Sequence, residues 1–255
     1  MRLSFSFFLL SLLFNYRLVA QNVINTDLPD QSDGTHLVEN KHFQIENGVQ
    51  FSRIDELTKG FDNITFIRYG VTKKFEIRLL NQYTIITDSN SVAGTQPITI
   101  SAKNLLCKQK GLLPKLTLIS YLKLPVTFSS NFPGDHFGYT FTLAARHDLN
   151  DKIKIYSNFS ITEDQESTDI SYLSTLEANY NITPTFSTFI EYFGKYAHHV
   201  NAANGMDIGV VYALKNNLAI NASFGSSTLN LSVNNFFSFG MAVRFAAKPK
   251  HEISS

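Results

Sequence analysis

The chain has 255 residues, 44% of them hydrophobic, and its 22 Lys and Arg against 21 Asp and Glu give a formal net charge of +1. This balance gives no electrostatic case for nucleic-acid binding, which needs a clustered basic face. Phe and Tyr are abundant (22 and 11) while Gly and Pro are few (13 and 7), a composition typical of long strands rather than of disorder.

The first twenty residues have the layout of a secretory signal peptide. Met1 and Arg2 give a positive start, an apolar stretch broken only by serines covers 3–14, and Ala20 offers a small residue at a cleavage position. We therefore expect residues 1–20 to direct export and to be removed. No later run of about 18 apolar residues predicts a transmembrane helix. A mature form in a membrane would then have to be a closed barrel, because lipid satisfies no backbone hydrogen bonds.

Residues 21–39 are polar and contain Pro29 and Gly34, which predicts an extended periplasmic N-terminal segment and not a strand. From residue 40 the chain alternates between apolar and polar residues with a period of two. The alternation is clearest over 74–81, 97–104, 136–146, 152–161 and 235–245, and weaker over 40–51, 63–69, 114–125, 171–181, 184–195, 205–213 and 217–225. We expect about twelve strands in one barrel, 40–245, followed by a C-terminal tail, 246–255.

Short and long links between these strands alternate along the chain. The short ones are 70–73, 148–151, 181–183 and 214–216; the long polar ones are 52–62, 82–96, 126–135, 162–170, 196–204 and 226–234. The link 105–113 is the exception, because it belongs to the short side but is long. Bacterial outer-membrane barrels have this pattern of tight periplasmic turns and long outer loops. The sequence therefore predicts an all-β, antiparallel, up-and-down transmembrane β-barrel with both ends on the periplasmic side.

One face of the strands carries large apolar side chains and the other carries charges. A soluble β-sandwich or ligand-holding barrel would also alternate, but its packed core has no place for charges at successive positions. We expect a polar lumen, with solute-path candidates Glu46, Arg68, Glu76, Arg78, Lys103, Lys123, Arg146, Glu177, Glu191, Asp207 and Arg244, and with Gln44 and Lys154 on the same face. These charges predict either a constriction that selects solutes or an ion-pair cluster that fills a narrow barrel.

The sequence offers little for catalysis or for a metal. The histidines His136, His147, His198 and His199 have no distinctive spacing to a nucleophile, and the pair His198-His199 lacks a third ligand. We expect no enzyme activity, no cofactor and no metal site. Cys107 is the single cysteine, so it forms no internal disulfide.

Several motifs resemble a bacterial outer-membrane family named for the meta-pathway of phenol degradation, whose members are often called transporters. Its opening resembles Thr26–Gln31 (TDLPDQ), although Leu28 replaces the usual Arg and Gly34 stands where Ser-Pro is frequent. Further similar stretches over 26–125 are 41–48 (KHFQIENG), 67–72 (IRYGVT), 75–79 (FEIRL), 97–103 (PITISAK) and 110–114 (KGLLP). The resemblance implies an outer-membrane barrel with a transport role and names apolar or aromatic compounds as candidate solutes, and it puts Glu46, Arg68, Glu76 and Arg78 on family positions.

Three functions follow as hypotheses. The first is a channel or transporter for small solutes through the charged lumen of a Gram-negative outer membrane. The second is a structural or surface-interaction barrel whose lumen is plugged by its own ion pairs. The third is a membrane-embedded hydrolase. For the first we expect membrane lipid, the barrel-assembly machinery and a small solute as partners, and no nucleic acid.

Overall fold

The computed structural model describes residues 23–29, 31–126, 128–134, 136–163, 165, 169–197, 202–229 and 232–247. The expected signal peptide, residues 21 and 22, the last eight residues of the expected tail and the pair His198-His199 lie outside the described residues. Within the described chain no helix has the length and hydropathy to cross a membrane.

The described chain is built of antiparallel strands. They are β1 His42–Arg53, β2 Lys59–Gly70, β3 Phe75–Thr87, β4 Ser91–Thr95, β5 Thr99–Cys107, β6 Lys115–Lys123, β7 Gly138–Asp148, β8 Ile153–Glu163, β9 Ile170–Thr183, β10 Phe186–Ala197, β11 Ala203–Lys215, β12 Leu218–Leu229 and β13 Ser232–Ala246.

Neighbours in sequence are neighbours in the wall, and β1 closes the sheet on β13. β4 pairs with the last residues of β3 and β5 with its first residues, so β4 and β5 share one position in the wall. The result is a closed antiparallel barrel of twelve strand positions, which confirms the predicted fold.

The outward face of the wall is mainly apolar, with one hydrogen-bonded polar patch of Asn47, Asn63 and Thr65 on β1 and β2. Phe141, Phe159, Ile208 and Phe239 are among the side chains that are about half exposed there. Aromatic pairs lie near both rims, for example Phe43–Tyr69 with ring centroids 4.5 Å apart. Phe43 and Phe51 stand eight residues apart on β1, roughly 26 Å along the strand. Because strands in such barrels tilt by about 40°, this length corresponds to roughly 20 Å across the membrane, and an outward apolar band of that height with aromatic rims suits a bilayer core.

Links at the two ends of the barrel differ. At one end, which we call the turn end, β1 begins, β13 ends and the links are 71–74, 108–114, 149–152, 184–185 and 216–217. At the other, the loop end, strands extend into several regions predicted to be long loops: β1 and β2 leave only 54–58 between them, and β12 and β13 only 230–231. In β12 and β13 these ends carry Ser226, Ser227, Thr228, Asn234 and Asn235 at successive positions, so the alternation that marks a strand is lost there.

The N-terminal segment is placed differently from its prediction. Its described residues, 23–29 and 31–39, are extended and not a strand, as expected, but they lie inside the barrel and not beyond its turn end. Ile24, Asp27, Ser32, Thr35 and Val38 are all buried there. The sequence did not indicate this position inside the barrel, because a polar segment has the same composition whether it is solvated or packed against a polar lumen. We refer to residues 23–39 as the inner segment.

Candidate functional site: the lumen and its inner segment

Every charged residue predicted to face the lumen does face it. Fully or nearly fully buried are Glu46, Arg68, Glu76, Arg78, Lys103, Glu177, Glu191 and Asp207, and half-buried are Lys123, Arg146 and Arg244. Gln44 is buried and Lys154 half-buried on the same side. Strand alternation places them there, because each lies an even number of residues from another lumen residue of its own strand.

The centre of the lumen is an ion-pair network that the inner segment completes. The Asp27 carboxylate accepts from Lys103 Nζ at 2.6 and 2.7 Å, and its Oδ2 lies 2.9 Å from Arg78 Nη1 and 3.1 Å from Arg68 Nη1. Three strands, β2, β3 and β5, thus direct one cation each at a single carboxylate. Asp27 belongs to the TDLPDQ motif, which was the sequence signal for this site, but its role was not predicted.

Glu46 and Glu76 balance Arg68 on either side. Arg68 donates from Nη1 to Glu46 Oε1 at 2.5 Å and from Nε to Glu76 Oε1 at 2.7 Å. Both carboxylates also hold the inner segment, because Glu46 Oε2 accepts from the Asp27 backbone N–H and Glu76 Oε2 from that of Val38. The four wall residues singled out by the family resemblance therefore bind the chain's own inner segment: the two arginines bind the Asp27 carboxylate and the two glutamates bind backbone N–H groups.

A second contact lies toward the loop end. Arg78 Nη1 also reaches Asp33 Oδ1 at 3.1 Å, and the Tyr121 hydroxyl donates to the same carboxylate at 2.5 and 2.6 Å. The Arg78 guanidinium lies 4.8 Å from the Tyr121 ring centroid and 5.6 Å from that of Phe66. Arg78 is thus held by charge and by aromatic faces, an arrangement that favours Arg over Lys.

The opposite wall is acidic. Glu177 on β9, Glu191 on β10 and Asp207 on β11 are direct neighbours across their strand pairs. Glu191 accepts from the Gln31 backbone N–H at 2.8 Å and from the Ser32 hydroxyl. The inner segment therefore presents a carboxylate to the basic wall and hydrogen-bond donors to the acidic wall. This complementarity fixes its position across the lumen.

Further contacts anchor both ends of the segment. Ile24 N–H donates to Asn216 O at 3.0 Å, and Lys41 N–H to Gly70 O at 2.7 Å. The His36 ring nitrogen contacts Arg146 Nη1, whose Nη2 pairs with Asp148 at 2.8 Å. Glu39 lies 3.4 Å from Arg244.

Electrostatics favour the docked state of the segment. Burial alone would raise the pKa of Asp27, but the charges of Arg68, Lys103 and Arg78 hold that pKa well below its usual range. The pKa of His36 is lowered well below its usual value by burial and by the nearby cations Lys115, Arg146, Lys154 and Lys103. Asp27 is thus ionised and His36 neutral at pH 7.

Cavities remain between the inner segment and the described part of the wall. One of about 520 Å³ opens at the turn end, and one of about 510 Å³ lies toward the loop end, lined by Tyr121, Lys123 and the hydroxyls of Thr140 and Thr162 among others. A third of about 300 Å³ lies between the segment and β1–β3. Asp33 and Tyr121 line both the second and the third cavity. The segment narrows the lumen but leaves polar space on either side.

No metal or catalytic constellation accompanies this network. Among the described residues, no group of three or more His, Cys, Asp and Glu is placed to hold a metal ion. His147 lies on β7 next to Arg146 and so faces outward, whereas His136 is exposed at the loop end. Cys107 is a half-buried free thiol at the end of β5.

Comparison with known families gives one match that covers most of the chain. Residues 26–245 match the model of the family described as "Putative MetA-pathway of phenol degradation". The chain belongs to this family. The match begins in the inner segment, so family membership includes the residues that dock in the lumen and not the barrel wall alone. No functionally curated protein matches the sequence.

Solved outer-membrane structures share the fold at low sequence identity. The COG4313 outer membrane channel from Pseudomonas putida F1 is similar with a TM-score of 0.68 and 13% identity, over 86% of this chain and 100% of that one. The NanC porin has a TM-score of 0.57 and 8% identity, over 78% and 98%. The KdgM porin in complex with disordered oligogalacturonate has a TM-score of 0.56 and 12% identity, over 79% and 99%. These structures are channels or porins, and the likeness concerns the barrel fold.

Proposed function

We propose that this protein is an outer-membrane channel for small polar solutes, whose bore is set by its inner segment. The observation that carries this proposal is the pair of polar cavities, about 520 and 510 Å³, on the two sides of the segment in a closed barrel. Hydroxyl, amide and charged groups line them, so a water-soluble molecule keeps hydrogen-bond partners along the path. We propose that the barrel is oriented with its turn end, where the short links lie, facing the periplasm.

The solute class follows from the lining. An apolar molecule would gain little by leaving lipid for a lumen of buried charges, because those charges would lose hydration without finding partners. The family resemblance suggests aromatic compounds, and the porin-like fold suggests hydrophilic ones. A small molecule with a polar or charged group satisfies both suggestions better than a hydrocarbon does.

The test is conductance in planar lipid bilayers. The full chain should give small, discrete channels, and a variant lacking residues 23–37 should give channels at least several-fold larger because the ion-paired segment no longer occupies the lumen. A mobility shift on heating in detergent gels should show that both are folded barrels. Silence of both folded proteins, together with no uptake of small sugars or amino acids by liposomes, would count decisively against a channel.

A structural barrel is the second candidate, and the ion-pair network favours it. Asp27 binds three cations, and other segment residues contact β1, β6, β8 and β10, as a permanent plug would. The same bilayer experiment separates the two: a permanent plug gives a silent full chain and conductance only after deletion of 23–37. We also propose that membrane lipid and the barrel-assembly machinery are its partners, and that it performs no catalysis.

A further inference from the structure

A concentration of positive charge surrounds the turn end of β5 to β8. The cations are Lys108, Lys110, Lys115, Arg146, Lys152 and Lys154, and the acids in the same stretches, 105–116 and 144–156, are Asp148 and Asp151. The long link 108–114, which departs from the short-turn pattern, contributes two of these lysines. Gln109 fastens that link to β7, because its amide exchanges hydrogen bonds with the backbone N–H and C=O of Asp148 at 2.8 and 3.1 Å.

Three of these cations face the lumen. Lys115 lies directly across from Arg146 on the neighbouring strand, and Lys154 stands across from Asp148 on the other side. Arg146 and Lys154 line the turn-end cavity of about 520 Å³. Asp148 pairs with Arg146 at 2.8 Å and neutralises one charge. Three acids of the described chain line the same cavity: Asp148, Glu39, which pairs with Arg244 on the far side, and Glu177, which lies on β9 next to the strand of Lys154.

These cations have donors to spare. Within the described part of the chain, no hydrogen bond or ion pair reaches the ammonium group of Lys115 or Lys154, and the buried Arg146 Nε has no acceptor. A buried donor without a partner costs free energy that a suitable acceptor would recover. His36, which lines the same cavity, senses the resulting potential, since its neighbours Lys115, Arg146, Lys154 and Lys103 are all positive.

We propose that the turn-end cavity binds a small organic anion, whose carboxylate is held by Arg146 and Lys154 and attracted by Lys115. Guanidinium and ammonium groups donate short, charge-assisted hydrogen bonds to carboxylates. Tyr156 and Phe189, which are 9% and 3% exposed, line the same cavity and offer apolar surface to the body of the molecule. The proposed binding site does not depend on the channel function. The further idea that such an anion is also the transported solute rests on that proposed function.

The first experiment measures binding without transport. The purified full chain in detergent at low ionic strength is titrated with butyrate, and separately with butyramide, which has nearly the same shape but no charge, using isothermal calorimetry. Butyrate should bind at least tenfold more tightly than butyramide. The Lys115→Gln/Lys154→Gln double variant should bind butyrate about tenfold more weakly, as expected for loss of charge-assisted contacts.

The control is Lys59→Gln, which removes one positive charge from an exposed position at the loop end, and each single variant, Lys115→Gln and Lys154→Gln, is compared with it. Lys59→Gln should leave butyrate binding unchanged, and the heat-induced mobility shift should be the same for all variants. Equal affinity for butyrate and butyramide, no binding, or an equal loss in Lys59→Gln would overturn the site.

The second experiment separates this inference from the channel itself. Butyrate is added to single channels in planar bilayers, first to the turn-end side and then to the loop-end side. Block from the turn-end side that disappears in the double variant supports the site as part of the solute path. If the protein conducts but butyrate binding does not depend on the two lysines, the anion site is wrong and the channel proposal stands. If butyrate binding depends on the lysines but the protein does not conduct, the anion site stands and the channel proposal is wrong.

Discussion

Among the described residues of the inner segment, Asp27 makes the most ion pairs with the wall. Its carboxylate is shared by Arg68, Arg78 and Lys103, all nearly fully buried. Without it, three buried cations would lack much of their compensation, and breaking a buried ion pair on one side costs more than the pair contributes.

Asp27→Asn should therefore weaken docking of the segment by about 3 kcal/mol. We expect larger and noisier single-channel currents and a lower midpoint temperature for the heat-induced mobility shift. Asp55→Asn is the control: Asp55 accepts from the backbone N–H groups of Leu57 and Thr58 in a loop-end turn, and these bonds lower its pKa without any contact to the segment. Wild-type currents in Asp27→Asn would show that the segment is held by other contacts.

His36 should make docking of the segment sensitive to pH. Burial and four nearby cations lower its pKa in the docked state, so the docked imidazole stays neutral. In a released segment its pKa would return to about 6.5, so the released state binds more protons below that pH. Docking is therefore at full strength above about pH 6.5 and weakens progressively as the pH falls below that value.

Conductance should accordingly rise between pH 7 and pH 5, and His36→Gln should remove this response. His42→Gln, a substitution at the start of β1, should keep it. Asp27 does not interfere in this range: its lowered pKa gives a contribution that is present above about pH 3.9 and is lost only at lower pH. A pH response that survives in His36→Gln would assign it to other groups.

At the level of elements, the passage from the inner segment into β1 depends on close backbone approach. A Cβ on Gly70 would lie 2.2 Å from Glu39 O and 2.4 Å from Val38 O, and both are backbone carbonyl oxygens, which cannot move away as a flexible side chain could. Lys41, which lies two residues after Glu39 at the start of β1, has a left-handed φ of 60°. The turn that directs the segment back into the barrel therefore needs glycine at the end of β2.

Gly70→Ala should displace the segment's exit without opening the wall, since β2 keeps its pairing with β1 and β3. We expect increased protease cleavage between residues 36 and 41 and raised conductance in the folded barrel. Gly111→Ala is the contrast: its φ of +58° makes alanine unfavourable by about 1 kcal/mol, but nothing lies within 4 Å of the added Cβ. It should leave cleavage and conductance unchanged; a similar change in both variants would contradict the role of Gly70.

The barrel wall could be predicted from sequence because alternate residues of each strand face lipid and the polar lumen, which gives a visible apolar–polar alternation. Phe75, Ile77 and Leu79 alternate with Glu76 and Arg78, and the structure puts the first set outside and the second inside. The inner segment could not be placed this way, because Asp27 and Ser32 would be equally suitable in water. The pairing of Asp27 with Lys103 joins residues 76 positions apart, a contact on which local alternation carries no information.

For the whole molecule, the charges form a pattern across the lumen as well as along it. Arg68, Arg78 and Lys103 lie on one wall, and Glu177, Glu191 and Asp207 on the opposite one. The inner segment bridges them with groups of matching sign. The outward face is mainly apolar and its polar patch at Asn47, Asn63 and Thr65 is uncharged, so the barrel separates two solvents: lipid outside and a polar, partly filled lumen inside.

This separation predicts an asymmetric response to new charges. Ile208 on β11 is 55% exposed on the outward face, near the middle of the apolar band. Ile208→Arg should cost about 2–4 kcal/mol in the free energy of unfolding from lipid, the penalty for Arg near the midplane of a bilayer. The measurement is urea unfolding in liposomes, followed by the mobility shift on gels.

Leu57→Arg supplies the comparison, because Leu57 is 82% exposed in the link 54–58 at the loop end. An arginine there remains in water or at the headgroups, where the penalty is about 0–1 kcal/mol. The difference between the two variants depends only on depth in the membrane. Equal and small effects would mean that the apolar face does not contact hydrocarbon, and the proposed membrane location, together with the channel, would then be untenable.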